Sequence, residues 1–270
     1  MKLGHWKSML VSGAVAALCG VPAAQAGWVT VSDSGTPVLS NCNPKPFTTP
    51  TPSACLLTGN TLPIAIGPNA ILVSSNSATI FANGVDVGTL YDRVYCYGTG
   101  GVCATSGTNF RKYTIATRVQ LKPGAWNGHS NESFEVNDLI RRIVSGVTTE
   151  SGYWMGPPAA ACGSTTTTDP DCGLANMKWV EYTGKTQYGL NDALVGTRDN
   201  NYIDHRNDAN ADDPDGVSSK WSAWVVARQT CSFGLESGQM AFSIKLWEGG
   251  EESQDHYTQW MSGYRCKTSP

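Results

Sequence analysis

Apolar and polar residues alternate along much of this chain. Tyr113, Ile115, Thr117, Val119 and Leu121 interleave with Thr114, Ala116, Arg118 and Gln120, the two-residue period of a half-buried strand. Met240, Phe242, Ile244 and Leu246 interleave in the same way with Ala241, Ser243, Lys245 and Trp247. This pattern places Trp247 opposite an apolar face. Shorter β-branched runs at Ile71–Val73 and Thr79–Ala82 lead into Asn83-Gly84. That dipeptide supplies the two positive-φ positions of a tight hairpin turn. The return strand, Val85–Tyr97, puts Val85, Val87, Thr89 and Tyr91 on one face. Further strands are expected at Trp28–Val31, Met177–Tyr182, Trp221–Arg228 and Tyr257–Met261.

One segment breaks the two-residue period. Val136, Leu139, Ile140, Ile143 and Val144 recur at helical spacing, and Gly146 stands where a helix would end. The spacing predicts one short helix near 135–145. Residues 27–61 are Pro-rich and read as irregular, because proline cannot donate to a ladder. Gly156 to Gly173 reads as a low-complexity loop of small residues, Pro and Thr. Many short strands, one helix and frequent turns give the fold class. It is mainly β, a disulfide-stapled antiparallel β-sandwich or jelly roll, with 27–270 as a single domain.

Composition then sets the compartment. Lys2 and Lys7, the apolar run Met9 to Gly20 and Ala24-Gln25-Ala26 make residues 1–26 read as a secretory signal peptide. Without it, Lys and Arg number 17 against 22 Asp and Glu, a net charge of −5. That balance disfavours nucleic acid as a partner. No apolar run outside the signal segment is long enough for a transmembrane helix. Eight cysteines follow residue 26, an even number that reads as disulfides in an exported chain. Spacing pairs Cys42 with Cys55, Cys96 with Cys103, Cys162 with Cys172, and Cys231 with Cys266. The expected location is periplasmic, extracellular or on the cell surface.

Candidate chemistry is sparse. Asp199 to Gly216 carries six aspartates against Arg206 alone. Within it Asp208, Asn210 and Asp212, with Asp215, offer oxygen ligands at calcium-loop spacing. Structural calcium is the one cofactor this pattern suggests. The EF-hand signature is not met, since Asp213 and Ser219 stand at its glycine and glutamate positions. Exposed tryptophans can stack on sugar rings, whose faces are apolar and edges polar. Trp126, in a Gly-rich loop, Trp247 and Trp260 are the candidates. Glu248, Glu251 and Glu252 crowd a Gly249-Gly250 turn, and paired carboxylates can hydrolyse glycosides. The histidines are scattered, and no serine lies in a nucleophile-elbow context.

Several blocks together resemble the exported bacterial choice-of-anchor proteins. They are Gly88–Tyr95, Ile115–Val119, Phe134–Arg141, Trp221–Trp224 running into Thr230-Cys231, Glu248–Gln254, and Ser262–Tyr264. The resemblance implies a secreted or surface β-rich domain and carries no catalytic residues. No sorting motif, apolar tail or basic cluster follows Tyr264, so retention by a sorting tail is not part of the expectation. The leading expectation is a non-catalytic surface or matrix module, with polysaccharide or other surface proteins as partners. A carboxylate-dependent hydrolase and an envelope or fibre subunit are the alternatives.

Overall fold

The computed structural model describes residues 27–35, 38–42, 55–82, 84–124, 134–157, 180–187, 197–210, 220–248 and 256–270. Among these residues thirteen strands form two sheets, and every pair of them is antiparallel. Sheet A runs β1 (Val29–Val31), β8 (Thr149–Trp154), β11 (Trp224–Thr230), β6 (Lys112–Leu121), β4 (Val85–Thr99) and β3 (Ala70–Ala82), with β5 (Val102–Cys103) paired to β4. Sheet B runs β13 (His256–Cys266), β12 (Leu235–Glu248), β7 (Phe134–Arg142), β10 (Tyr202–Asn210), β9 (Tyr182–Gly184) and β2 (Leu39–Asn41).

The sheets bury their facing sides against each other. Ile80, Val87, Leu90, Val119, Leu121 and Val225 from sheet A meet Val136, Leu139, Ala209, Phe242, Ile244 and Met261 from sheet B. A second apolar layer covers the far side of sheet A. There α1 (Leu62–Ile66) packs with Tyr95, Ala116, Trp154, Trp224 and Val226. Thr61 caps α1, its side-chain oxygen accepting from the Ile64 amide, and Pro63 lies in the first turn. Both devices favour a helix start. Sheet A is thus buried on both faces, which is why Thr114, Ala116 and Arg118 are as inaccessible as Thr117 and Val119.

Three of the expected disulfides are present: Cys42–Cys55, Cys96–Cys103 and Cys231–Cys266. The last joins the end of β11 in sheet A to the end of β13 in sheet B. Cys162 and Cys172 lie outside the described residues, as do the expected signal segment and the Gly156–Gly173 loop beyond residue 157.

The expected helix near 135–145 is instead strand β7, and the chain's helix among the described residues is α1. The cause is a bulge. Asp138 pairs with Lys245 but Val136 with Leu246, so the register slips at Asn137. The slip puts Val136 and Leu139, three apart, on the same inner face. Ile140 is buried on the opposite face as well. A strand buried on both sides with a bulge carries the spacing of a helix stripe. The face assignment in β4 changes for the same reason. A slip between Ile80 and Phe81 of β3 falls opposite Val87. Beyond it Leu90, Asp92 and Val94 face the inter-sheet core while Tyr91, Arg93, Tyr95 and Tyr97 face the far side. The 27–61 segment also holds more order than expected, since β2 pairs with β9.

Candidate functional site

The polar residues of this sandwich separate into those that hold the sheets together and those that line an outer surface. Asp92 on β4 and Arg141 on β7 meet across the inter-sheet core as an ion pair, both essentially inaccessible. Thr117 donates to Asp92 Oδ1 at 2.8 Å, and Arg141 Nη2 also contacts Thr117. Arg141 Nη1 donates to the Tyr264 carbonyl at 2.6 Å, while the Tyr264 amide donates to Asp92 Oδ2 at 3.1 Å. The guanidinium lies 5.0 Å from the Phe242 ring centroid. Five strands of both sheets converge here. Gly263 completes the fit, because a Cβ there would sit 2.9 Å from Asp92 Oδ2.

A second buried cluster contains a serine and a histidine. Ser151 Oγ lies 3.0 Å from His205 Nε2 and 2.8 Å from Thr183 Oγ1. His205 Nδ1 faces the Leu139 carbonyl at 3.4 Å, which fits a neutral ring protonated at Nδ1 and accepting at Nε2. Burial pushes the His205 pKa down to about 4, with Arg141's charge acting in the same direction and hydrogen bonds to the Leu139 and Val226 backbone opposing. Ser151 and Thr183 are fully buried and His205 is 1% exposed. The hydroxyl is sealed from any substrate, so this pair serves packing.

On the far side of sheet A, arginines stack on aromatic rings. Arg93 lies over Trp224, Arg118 over Trp221 and Arg228 over Trp28, at 4.7, 4.3 and 3.8 Å from the ring centroids. Arg228 also grips Glu150 with two hydrogen bonds of 2.7 and 2.8 Å. That bidentate contact holds the Glu150 carboxyl below its ordinary range. Trp154, Trp221 and Trp224 are thereby committed to the interior.

The outer face of sheet B differs. Its rows follow from register. Trp260 pairs with Ser243, Ser243 with Ile140, and Ile140 with Asp204. Tyr202, two residues before Asp204, projects from the same face of β10. The Tyr202 and Trp260 rings meet edge to face, centroids 6.0 Å apart at 62°. Their strands are three positions apart in the sheet, about 14 Å at ordinary strand spacing. The two rings therefore lean towards each other over β12 and β7, which closes the row at Ile140 and Ser243. Both rings stay half-buried. On the same face Arg142 and Arg206 are half-buried, Arg206 3.6 Å from Glu181, while Asp138 and Asp204 are buried.

Of the expected site residues, Trp260 belongs to this aromatic pair. Trp247 lies in β12, and its backbone row runs through Glu135 to Asn210 on β10. The structure thus brings Trp247 and Asn210 to either side of one strand. Asp208 and Asn210 stand within β10 and not in a loop. Asp208 sits beside a register slip between Arg206 and Ala209. Asp212 and Asp215, the other calcium candidates, lie outside the described residues, as do Trp126, Glu251 and Glu252. Among the described residues no group of three or more His, Cys, Asp or Glu is placed to hold a metal ion.

Tyr202 has no part in the sequence expectations, Arg206 enters them only as the lone base of the acidic segment, and Asp138 only within the block Phe134–Arg141. Asp138 was hidden by the helix reading of its segment. Tyr202 and Arg206 share the odd-and-even phase of Asp204 along β10, a signal that pattern analysis could have used. Comparison with protein-family models, with curated proteins and with solved structures returns no match.

Proposed function

We propose that this chain is an exported, non-catalytic surface or matrix module that binds polysaccharide on the outer face of sheet B. The observation that carries the reading is the Tyr202–Trp260 pair. Two half-buried rings meet on a rigid sheet, with the half-buried Arg142 and Arg206 on the same face. Aromatic faces stack on the apolar faces of sugar rings, and charged groups around them bond to hydroxyls. Sites on strands also keep their geometry better than sites on loops. The disulfides are compatible with export. No helix among the described residues is long and apolar enough to cross a membrane. The blocks that resemble choice-of-anchor proteins fall on β4 and β6 of sheet A and on β7 and β13 of sheet B, and so include two strands of this face.

The test is retention of residues 27–270 on a panel of immobilised polysaccharides at low and high salt. Retention that survives high salt is expected, because stacking is not screened as ion pairing is. Trp260→Ala should weaken it by more than about tenfold, the usual consequence of truncating an anchoring tryptophan. Unchanged retention by Trp260→Ala, or no retention on any polysaccharide, contradicts the reading. Release of reducing sugar from a retained polymer would replace it with the hydrolase alternative.

A further inference from the structure

We infer that β3 is a self-association edge, at which two copies of this chain pair antiparallel with Asn76 on the two-fold axis. β3 ends the described path of sheet A, pairing with β4 along one side only. It runs for thirteen residues, Ala70–Ala82, without a charged residue or a proline. Folded proteins ordinarily protect an edge by shortness, charge or proline, since its unpaired N–H and C=O groups invite another strand. The other edges of the two sheets are shorter or carry charge. β1 and β2 span three residues each. β13 carries Arg265, paired with Glu236, and its Tyr264 hydroxyl contacts Ser74 of β3 across the sandwich.

The sequence of β3 is close to a palindrome. Read outward from Asn76, Ser75 mirrors Ser77, Ser74 mirrors Ala78, Val73 mirrors Thr79, and Leu72 mirrors Ile80. Ile71 then mirrors Phe81, and Ala70 mirrors Ala82. In a two-fold antiparallel pairing each residue opposes its mirror, as an isologous interface requires. Small polar residues then meet in the centre and apolar residues meet at both ends. The regular stretch Ser74–Ile80 lies between the two register slips of the β3–β4 pair. Within its central five residues the faces also match. Ser74, Asn76 and Ala78 share the core side with Asp92, Val94 and Leu90, whereas Ser75 and Ser77 share the far side with Arg93 and Tyr91. Ser75, Asn76 and Ser77 are exposed, and so are Leu72, Val73 and Phe81 at 50%, 50% and 48%. Pairing sets Phe81 of one copy opposite Ile71 of the other, Leu72 opposite Ile80 and Val73 opposite Thr79, which removes apolar groups of this edge from water. The Pro-rich stretch around Asn43–Pro52 is a poorer occupant, because each proline lacks a donor for the ladder.

Sedimentation of residues 27–270 between micromolar and hundred-micromolar concentrations is the test, joined to engineered cysteines. A dimer whose fraction grows with concentration is expected. Asn76→Cys should trap it as a disulfide-linked pair under mild oxidation, because residue 76 alone faces its own copy. Ser75→Cys and Ser77→Cys should each fail alone yet cross-link when mixed. Asn76→Lys sets two like charges face to face and should weaken association by about tenfold. Its far-ultraviolet spectrum and melting midpoint should match those of the unaltered monomer. A monomer at every concentration overturns the inference, and means that this edge takes a different chain or none. A dimer that Asn76→Lys leaves intact, or that Asn76→Cys does not trap, overturns it equally.

Discussion

Asp92→Ala lowers the unfolding free energy by about 3–5 kcal/mol, the usual cost of stranding one partner of a buried ion pair. The guanidinium of Arg141 stays in the inter-sheet core, deprived of its carboxylate and still in contact with Phe242. Burial already lowers the Arg141 pKa, and Asp92 opposes that effect through its charge and its hydrogen bond. Removing the carboxylate leaves desolvation unopposed. For a chain of this size the loss corresponds to a melting midpoint lower by about 10 °C. Arg141→Met alone should cost a similar amount, because it strands Asp92. The double variant Asp92→Leu/Arg141→Met should recover much of the loss, since well-packed apolar groups replace a buried pair at little net cost. Urea unfolding of the four proteins measures this. Single variants within about 1 kcal/mol of the parent would show that Asp92 and Arg141 do not hold the sheets together.

Acidification from pH 7 to pH 4 removes about 3 kcal/mol of stability through His205 alone. The folded ring titrates at about 4, against 6.5 for an unhindered histidine. Between these values the unfolded chain binds the proton and the folded chain does not. Stability is therefore complete above about pH 7, falls as pH drops through 6.5, and stops falling near 4. Glu150 acts in a lower window. Its folded pKa lies below 4.5, held there chiefly by Arg228, so its contribution disappears only as pH falls below 4.5. The two effects separate by comparing His205→Gln with the parent between pH 7 and 4. The variant should show a flatter profile, the difference closing towards pH 4. Parallel profiles would mean that His205 titrates alike in the folded and unfolded chain, so that burial does not disfavour its charged form.

Strand positions were legible wherever one face is apolar. The alternation at Tyr113–Leu121 became β6, and that at Met240–Trp247 lies within β12. Phe242 and Ile244 are buried as the alternation implied. Met240 is not. It sits exposed at φ 54°, where the β12–β13 register slips between Gly238 and Phe242. Bulges recur as the reason for misreading. A bulge adds one residue and reverses the side-chain phase beyond it. The one at Asn137 gave β7 the look of a helix, and the one at Val87 moved Asp92 onto the core side. Neither leaves a signature in single-sequence periodicity. The helix α1 was missed because five residues with a proline inside fall short of a helical pattern. The disulfide partners among the described residues were legible from loop spacing. The candidate face was legible only in part. Trp260 stood out by residue type, whereas Tyr202, three strands away in the sheet, meets it only after the sheet is assembled.

The most direct measurement of the saccharide reading follows the tryptophan indole N–H signals by NMR during titration with a soluble oligomer of a retained polysaccharide. The Trp260 signal should move with saturating dependence on ligand, while those of Trp154, Trp221 and Trp224 hold their positions. A retained polysaccharide whose oligomer leaves Trp260 unmoved would contradict the assignment of the outer face of sheet B as the binding surface.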